Sequence, residues 1–391
     1  MPTALRACLL ILLTASCTVA AAAGLGIAAS VAPDGRVWIV GLNAQQQLFA
    51  QSSEDQGSHW SAAQILDTRG DRILADGENR PMLAFGPEGR AVITYSSPAA
   101  KGPGVNIRLL RSSDGGKRFA PPLTVHNGRQ PVGRGYAASA FDRNGVLHTV
   151  WMDNRDQLAA DSDSVAATRS AIFRNESRDG GASFGPDTPL ATNGCECCRI
   201  ALAPTADGKV AALWGQLFEP NIRDHAFARL GDNNEPERAS YDEWPHDACP
   251  GQGPALIPEY NGGFHMIWHG ERAPMPGGQT QQLAVRYGRL SESGRPRGEY
   301  YLIPDDKAEH ADVAAKNRTV VIAWLSRSGD LTQLRAWVSN DDGSNFALRD
   351  LASSREDHDY PRLLATPKGI LLLWRTASGV QAFPFTPRSQ G

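Results

Sequence analysis

One eight-residue pattern, Ser-x-Asp-x-Gly-x-x-aromatic, occurs four times in this 391-residue chain and limits the folds that it can adopt. Ser and Asp side chains bond nearby backbone N–H groups in a turn, Gly adopts a positive φ, and the aromatic ring anchors the turn to a sheet. We call these turns Asp boxes. Their residues are Ser53, Asp55, Gly57 and Trp60; Ser112, Asp114, Gly116 and Phe119; Ser177, Asp179, Gly181 and Phe184; and Ser339, Asp341, Gly343 and Phe346.

A longer repeat lies behind the Asp boxes. Two apolar runs around a Gly-containing turn, the second ending in an aromatic residue, recur every 50 to 63 residues. Each such hairpin, followed by a second one, gives four strands per repeat, which is typical of β-propeller blades. We therefore predict an all-β propeller of four-stranded antiparallel blades, with seven blades preferred over six and the last blade lacking its outermost strand. The aromatic ends are predicted to pack between blades: Tyr95, Trp151, Trp214, Trp268, Trp324 and Trp374.

Residues 1–23 differ from the rest of the chain. Arg6 is followed by an apolar run too short to span a bilayer and then by alanines, which predicts a secretory signal peptide. The run that ends at Cys17 also resembles a lipoprotein signal, which would place a lipid on that residue. We expect residues 24–391 to form one propeller domain located outside the cytoplasm, in a bacterial periplasm or secreted, without a transmembrane span.

Charge and cysteine content narrow the function classes. The net charge is −3 and no Lys/Arg run forms a basic stripe, so a nucleic-acid partner is not expected. A monomer is the expected state. Four cysteines follow the predicted leader, and an even number in an oxidising compartment favours disulfides.

Asp boxes on a propeller of this period resemble the sialidase (neuraminidase) superfamily, also described as BNR or Asp-box repeat proteins. The resemblance implies three arginines on a substrate carboxylate, a tyrosine nucleophile paired with a glutamate, and an aspartate acid/base. The nearest match to the family's first arginine motif is Asn79-Arg80-Pro81, which keeps Arg and Pro and lacks the preceding Phe. The chain thus departs from the catalytic sialidase pattern at this point.

Strand direction predicts where ligands bind. If the innermost strand of each blade starts at the top face, the turn between the third and fourth strands lies at the bottom, and the Asp boxes with it. Propeller ligands bind at the top, near the axis. The Asp boxes are therefore predicted to be structural, and any chemistry belongs to the opposite face.

Aligning the repeats on their innermost strands identifies the residues that approach the axis. Arg199 aligns with Arg80, Tyr136, Gly253, His310 and Tyr360. For a sialidase-type exo-glycosidase, the arginines would clamp a carboxylate and the carboxyl groups and a tyrosine would carry the reaction. The candidates are Arg80, Arg199 and Arg362 for the clamp, Tyr136 or Tyr360 as nucleophile, Asp153 or Asp76 as acid/base, and Glu78 or Glu271 as activator.

The cysteines support two interpretations. Cys195 aligns with Cys249 of the next repeat, which predicts a disulfide between neighbouring blades, with Cys197 and Cys198 as a vicinal pair or as thiols. Alternatively, thiolates and imidazoles form a site for a soft metal, copper or zinc. The candidate ligands are Cys195, Cys197, Cys198, Cys249, His246, His310 and His358.

The sequence therefore predicts binding of a ligand or soft metal at the top of the propeller, the ligand being a small anion or a glycan. The alternatives are an exo-acting glycoside hydrolase of the sialidase type and a protein-interaction scaffold that has no pocket.

Overall fold

The computed structural model describes residues 24–75, 77–158, 170–195, 198–244, 251–272 and 282–386. These residues form antiparallel β-strands joined by turns and loops, with one short 3-10 helix at Arg155–Leu158, which confirms the all-β prediction. Within the described ranges, no helix is long and apolar enough to cross a membrane. The predicted leader, including Cys17, lies outside them.

The strands follow one another along the chain in groups of four. The first two groups are β1 (Ile27–Val31), β2 (Val37–Leu42), β3 (Leu48–Ser53) and β4 (Gln64–Ile65), then β5 (Met82–Phe85), β6 (Ala91–Pro98), β7 (Val105–Ser112) and β8 (Leu123–Thr124). The next two are β9 (Arg134–Phe141), β10 (Leu147–Asp153), β11 (Ser170–Ser177) and β12 (Thr188–Gly194), then β13 (Ala201–Pro204), β14 (Val210–Phe218), β15 (Ile222–Arg229) and β16 (Glu237–Arg238). A single pairing of Gly194 with Gln216 joins the third and fourth groups into one sheet.

The remaining groups complete the fold. They are β17 (Ala255–Pro258), β18 (Phe264–Arg272), β19 (Gln282–Leu290) and β20 (Pro296–Leu302), then β21 (Ala308–Lys316), β22 (Thr319–Ser328), β23 (Leu331–Ser339) and β24 (Ala347–Ser354), and finally β25 (Arg362–Thr366), β26 (Gly369–Thr376) and β27 (Gly379–Phe385). The last group has three described strands, as predicted from its short repeat.

The first strand of each group lies innermost. These strands contact one another in the order β1, β5, β9, β13, β17, β21 and β25, and β25 returns to contact β1. The ring is therefore closed by packing between the first and last groups. It has the form of a β-propeller and is consistent with the seven blades that the repeats predict.

The hydrophobic core lies between neighbouring groups. One cluster, for example, combines Trp38 and Val40 of the first group with Ile93 and Tyr95 of the second. The six aromatic residues that end the second strands are at most 5% exposed, which confirms their predicted packing role.

The four Asp boxes share one set of hydrogen bonds. In each, the Ser hydroxyl donates to the Asp carboxylate at 2.7 to 2.9 Å and accepts the Gly N–H at 2.8 to 3.0 Å. The Gly residues have φ between 76° and 87°, a backbone region that favours glycine. The serines end β3, β7, β11 and β23, so the boxes lie opposite the starts of the innermost strands, as predicted.

A second repeated arrangement of hydrogen bonds holds the linkers that precede the first strand in three of the groups. An Asp from the linker accepts a hydrogen bond from the aromatic residue of the second strand and pairs with an Arg of the third strand. Buried aromatic N–H and O–H groups need such partners. The three sets are Asp71 with Tyr95 and Arg108, Asp242 with Trp268 and Arg286, and Asp305 with Trp324 and Arg335.

Candidate functional site

Polar side chains from several groups converge where the innermost strands begin. We call this cluster the axial mouth. Because these residues hold equivalent positions in the repeats, the alignment of the sequence predicted most of them. The cluster comprises Glu78, Arg80, Arg199, His310, Asp359, Tyr360 and Arg362.

Glu78 and Arg199 form a buried ion pair. The Glu78 side chain has no exposed surface, and its Oε1 lies 2.7 Å from Arg199 Nη1. Its Oε2 accepts the N–H groups of Arg199 at 3.2 Å and Gly253 at 2.5 Å. Burial raises the pKa of Glu78, but the Arg199 and His310 side chains outweigh this effect and lower it to about 2. Glu78 is therefore a permanent anion at neutral pH.

The other donors of Arg199 form hydrogen bonds with the backbone of two further groups. Nε donates to the Pro254 carbonyl at 3.0 Å, and Nη2 donates to the Ala311 carbonyl at 2.7 Å. A Cβ on Gly253 would lie 2.5 Å from Arg199 Cγ, which explains the glycine at this aligned position. Arg199 thus fastens the mouth together and is not available to clamp a ligand.

Arg80 is also held in a buried ion pair. Its Nη1 lies 2.6 Å from Asp359 Oδ1, and both side chains are almost completely buried. Nη2 donates to the Gly77 carbonyl at 2.6 Å, while the Asp359 Oδ2 accepts the Ile27 N–H at 2.8 Å. The guanidinium lies 5.0 Å from the centre of the Tyr360 ring, within cation–π distance.

Arg362 differs from the other two arginines. Its only hydrogen bond within the described part of the chain runs from Nε to the Ile27 carbonyl, at 3.3 Å, so its terminal nitrogens have no partner there. Burial and the charges of Arg80 and Arg199 lower its pKa to about 10. Of the three arginines in the predicted clamp, Arg80 and Arg199 are thus paired with carboxylates, whereas the terminal nitrogens of Arg362 have no partner among the described residues.

His310 and Tyr360 stand beside Arg362. Their rings are stacked, with centroids 3.4 Å apart and planes 9° from parallel. His310 Nδ1 lies 3.7 Å from Glu78 Oε1, slightly too far for a hydrogen bond. The Tyr360 hydroxyl has no hydrogen-bond partner among the residues that the structure describes, and burial raises its pKa.

Tyr136, the other predicted nucleophile, lies in β9 with a φ of 54°. Its N–H donates to Asn79 Oδ1 at 3.0 Å. The side chain packs against a hydrophobic cluster that includes Ala138 and Ile200. This position is next to the mouth, but the Tyr136 ring is not part of the stack formed by His310 and Tyr360.

Asp153 does not fit the predicted role of acid/base. It has no exposed surface, and its Oδ2 accepts hydrogen bonds from Arg134, Trp151 and Arg155 at 2.6 to 2.9 Å. Burial raises the pKa of Asp153, but the hydrogen bonds from Arg155 and Trp151 outweigh this effect, so the pKa lies below its ordinary value. A general acid must hold a proton and reach the substrate. Asp76 and the Glu271 side chain lie outside the described residues.

Cys195 and Cys198 lie together beside the mouth. Both are buried, and their sulfur atoms are 3.8 Å apart, well beyond a disulfide bond. Arg223 Nη1 lies 3.0 Å from Cys195 Sγ. A hydrogen bond with Cys195, together with burial, raises the pKa of Cys198 well above its ordinary value. The predicted pairing of Cys195 with Cys249 stays untested, because Cys249 lies outside the described residues.

A small recess, with a cavity volume of about 20 Å³, lies beside these thiols, between the fourth and fifth groups. We call it the thiol recess; its lining includes Cys195, Cys198, Arg223, His225, Gln252 and His269. His269 Nδ1 lies 3.0 Å from Gln252 Oε1, whereas its buried Nε2 has no hydrogen-bond partner within the described ranges. Burial lowers the pKa of His269 to about 4, so the ring is neutral at pH 7.

The other predicted metal ligands are not gathered at the thiols. His358 contacts Thr332 and the Asp359 carbonyl and packs near Trp374, and His310 stacks on Tyr360. Cys197 and His246 lie outside the described ranges. Across those ranges, no three Cys, His, Asp or Glu side chains are arranged around a common metal position.

Several residues of the two sites escaped the sequence analysis. Asp359 and Gln252 were not assigned roles, since they bond residues far away in the chain. For His269 the sequence does contain a signal of its position, because the residue directly follows Trp268 at the end of a second strand. The spacing Cys195-x-x-Cys198, a common metal-binding and disulfide spacing, was also present in the sequence.

Comparisons with known proteins identify the fold. No protein-family model matches the chain, and no curated protein matches it. Solved structures do. A polysaccharide lyase of family PL25, an ulvan lyase bound to -[GlcA(1-4)Rha3S]-, has a TM-score of 0.57 and 13% identity over 93% of this chain and 94% of its own.

Two further solved structures are similar. A leech intramolecular trans-sialidase complexed with 2,7-anhydro-Neu5Ac has a TM-score of 0.52 and 8% identity, covering 89% of this chain and 83% of its own. An α-L-arabinanase of Penicillium chrysogenum complexed with arabinobiose has a TM-score of 0.50 and 15% identity, covering 84% and 93%. At such identities the likeness concerns the fold alone: this chain shares the β-propeller fold of glycan-processing enzymes, the sialidase group among them.

Proposed function

We propose that the axial mouth binds an acidic saccharide and that Arg362 holds its carboxylate. The observation that carries the proposal is the contrast among the three arginines. Arg80 and Arg199 are each neutralised by a carboxylate at 2.6 and 2.7 Å, whereas the terminal nitrogens of Arg362 have no partner among the described residues. A planar guanidinium with open donors matches a carboxylate in shape and charge.

The electrostatics of the mouth favour an anion beside Arg362. Burial and two neighbouring arginines lower its pKa, whereas Asp359 and Asp312 act in the opposite direction. The Asp312 carboxylate already accepts the N–H groups of Val313 and Leu363. A bound carboxylate would supply the partner that these acids do not give, and would restore the pKa of Arg362 toward its ordinary value.

The surroundings of Arg362 also suit a sugar. The Tyr360 hydroxyl has no hydrogen-bond partner among the described residues, and the His310 ring covers one face of the Tyr360 ring. Saccharide sites combine a few convergent polar groups with aromatic walls. Two of the structural neighbours hold sugars that carry a carboxylate, GlcA in the ulvan lyase and an anhydro-Neu5Ac in the leech enzyme.

Binding measurements test this proposal. We expect calorimetric titration to detect uronate- or sialate-containing oligosaccharides and to give much weaker binding to the same sugars with the carboxylate reduced to an alcohol. Arg362→Gln is expected to weaken binding by roughly 30-fold or more, since truncating one side of a charged pair costs about 2 kcal/mol or more.

The matched control is Arg355→Gln. Arg355 is exposed and, in the part of the chain that the structure describes, pairs only with the exposed Asp330, so its loss should leave affinity within about twofold. Equal affinity for acidic and reduced sugars, or an unchanged affinity in Arg362→Gln, would refute the proposal. No binding by any saccharide would refute it as well and would favour the scaffold alternative.

Hydrolysis of an acidic glycoside is the second candidate function. It is favoured by one observation, a Tyr360 hydroxyl that has no hydrogen-bond partner among the described residues, on a ring whose centre lies 5.0 Å from the Arg80 guanidinium. We expect Tyr360→Phe, which keeps the stacked ring, to reduce turnover of an aryl sialoside by at least about a thousandfold while binding persists. Tyr136→Phe is the control. Absence of turnover by the wild-type protein would reject hydrolysis of that substrate and leave the binding proposal to its own test.

A further inference from the structure

We propose that the thiol recess binds Cu(I), through the Cys195 and Cys198 sulfurs and the Nε2 atom of His269. The proposal is independent of the acidic saccharide, because it uses different side chains. Thiolate and imidazole ligands select soft ions. The recess provides both types in one buried space.

The distance between the sulfurs is the first argument. At 3.8 Å the two atoms are too far apart for a covalent bond, which needs about 2.05 Å. Two sulfurs 3.8 Å apart, each about 2.3 Å from a shared ion, subtend an angle of roughly 111° at that ion. The thiols therefore already have the separation of two ligands on one metal.

His269 supplies the second, independent argument. It is 8% exposed, and its Nδ1 lies 3.0 Å from Gln252 Oε1, an acceptor, so Nδ1 carries the proton. Nε2 then carries an unprotonated lone pair that is buried and has no hydrogen-bond partner among the described residues, in a side chain that lines the recess. Metal-binding histidines typically donate their other ring N–H to an oxygen in this way. A buried lone pair without a partner is otherwise unfavourable.

Charge balance selects a monovalent ion. Two thiolates and Cu(I) carry one net negative charge, which the Arg223 guanidinium beside Cys195 neutralises. With Zn(II) the two thiolates and the ion would carry no net charge, so the nearby guanidinium of Arg223 would have no negative charge to attract at this site. The two aspartates that line the recess do not alter this balance, because Asp224 pairs with Arg238 and Asp242 pairs with Arg286. Buried uncompensated charge is costly.

The binding step requires no redox partner. Each thiol that becomes a ligand releases its proton to solvent, one Cu–S bond forms at each sulfur, and the oxidation state of copper and of sulfur is unchanged. The described side chains do not yet surround a common point. We therefore expect His269 to move toward the sulfurs when the ion enters.

Anaerobic titration of the reduced full chain with Cu(I), in competition with a chromophoric Cu(I) chelator, tests the proposal. We expect one Cu(I) per chain, a loss of affinity of about 100-fold or more in Cys198→Ser, and of about 10-fold in His269→Gln. His59→Gln is the control, since His59 is exposed at an Asp box and contacts Asp55. Zn(II) titrated in parallel should bind more weakly, and tighter binding of Zn(II) would contradict the charge argument.

Alkylation of the wild-type protein provides a readout that needs no variant. Cu(I) should protect Cys195 and Cys198 from iodoacetamide, as mapped by mass spectrometry. Protection confined to Cys197 and Cys249, or the absence of Cu(I) binding after full reduction, overturns the proposal. Formation of a Cys195–Cys198 disulfide in the oxidised protein, together with no Cu(I) binding by the reduced protein, overturns it as well, in favour of a redox pair. None of these outcomes bears on saccharide binding.

Discussion

Glu78→Gln is expected to lower the free energy of unfolding by about 3 to 5 kcal/mol, the range found when one partner of a buried ion pair is removed. The substitution leaves the Arg199 guanidinium without its anion in a place where Glu78 had no exposed surface. It also weakens the acceptor for two backbone N–H groups. Urea denaturation followed by far-UV circular dichroism measures the change.

Glu235→Gln is the matched control, because Glu235 is exposed, and its effect should stay within about 0.5 kcal/mol. The double variant Glu78→Gln/Arg199→Met is expected to be less destabilised than the sum of the two single variants, since it removes both charges. A Glu78→Gln variant within about 1 kcal/mol of the wild type would mean that this pair does not fasten the mouth.

The same carboxylate makes stability depend on pH with a definite sign. Its pKa is about 2 in the folded protein and lies near the ordinary value of 4.5 when the chain unfolds. The stabilisation is therefore complete above pH 4.5 and is lost as pH falls from 4.5 toward 2, by roughly 3 kcal/mol in total. Glu78→Gln should flatten the stability curve in that window.

Asp153→Asn is expected to be the second large effect, with a loss of about 3 to 5 kcal/mol. The substitution leaves the guanidinium groups of Arg134 and Arg155 facing a neutral amide in a fully buried position. Thermal and urea unfolding measure the loss. Asp156→Asn, three residues further on and exposed, is the matched control and should be nearly neutral.

This substitution also separates a structural role from a catalytic one. If Asp153 is structural, the folded fraction of Asp153→Asn should bind acidic saccharides as the wild type does. A variant that keeps its stability but loses the turnover of a glycoside would instead restore Asp153 as the acid/base.

The sequence was sufficient for the fold because its signals are local and repeated. Each Asp box needs only residues within eight positions, and each hairpin carries its own turn and apolar runs. The alignment of repeats also located Arg80, Arg199, His310 and Tyr360, since equivalent positions on the innermost strands face the same axis.

The partners of those residues could not be predicted in this way. Asp359 meets Arg80 across 279 positions of the chain, and Glu78 meets Arg199 across 121. Such pairs depend on ring closure and on side-chain direction, which no local pattern encodes. They matter for the proposed saccharide site, because they pair two of the three arginines with carboxylates.

Asp153 is a different case, since a local argument was available. It lies two residues after Trp151 on the same strand, so both side chains point to the same side of the sheet. The Trp151 ring is fully buried on that side. Its N–H therefore reaches the Asp153 carboxylate, and the aspartate faces the packed interior instead of the mouth.

The closure of the ring between β25 and β1 bears directly on ligand binding. Where the two strands meet, Asp359 accepts the Ile27 N–H and Arg362 donates to the Ile27 carbonyl. Residues at or just before the start of the last group of strands thus bond the backbone of the first strand. Arg362 is also the proposed ligand anchor. A saccharide bound by Arg362 would therefore contact the same side chain that joins the two ends of the ring. Its binding would be linked to folding and would stabilise the closed propeller.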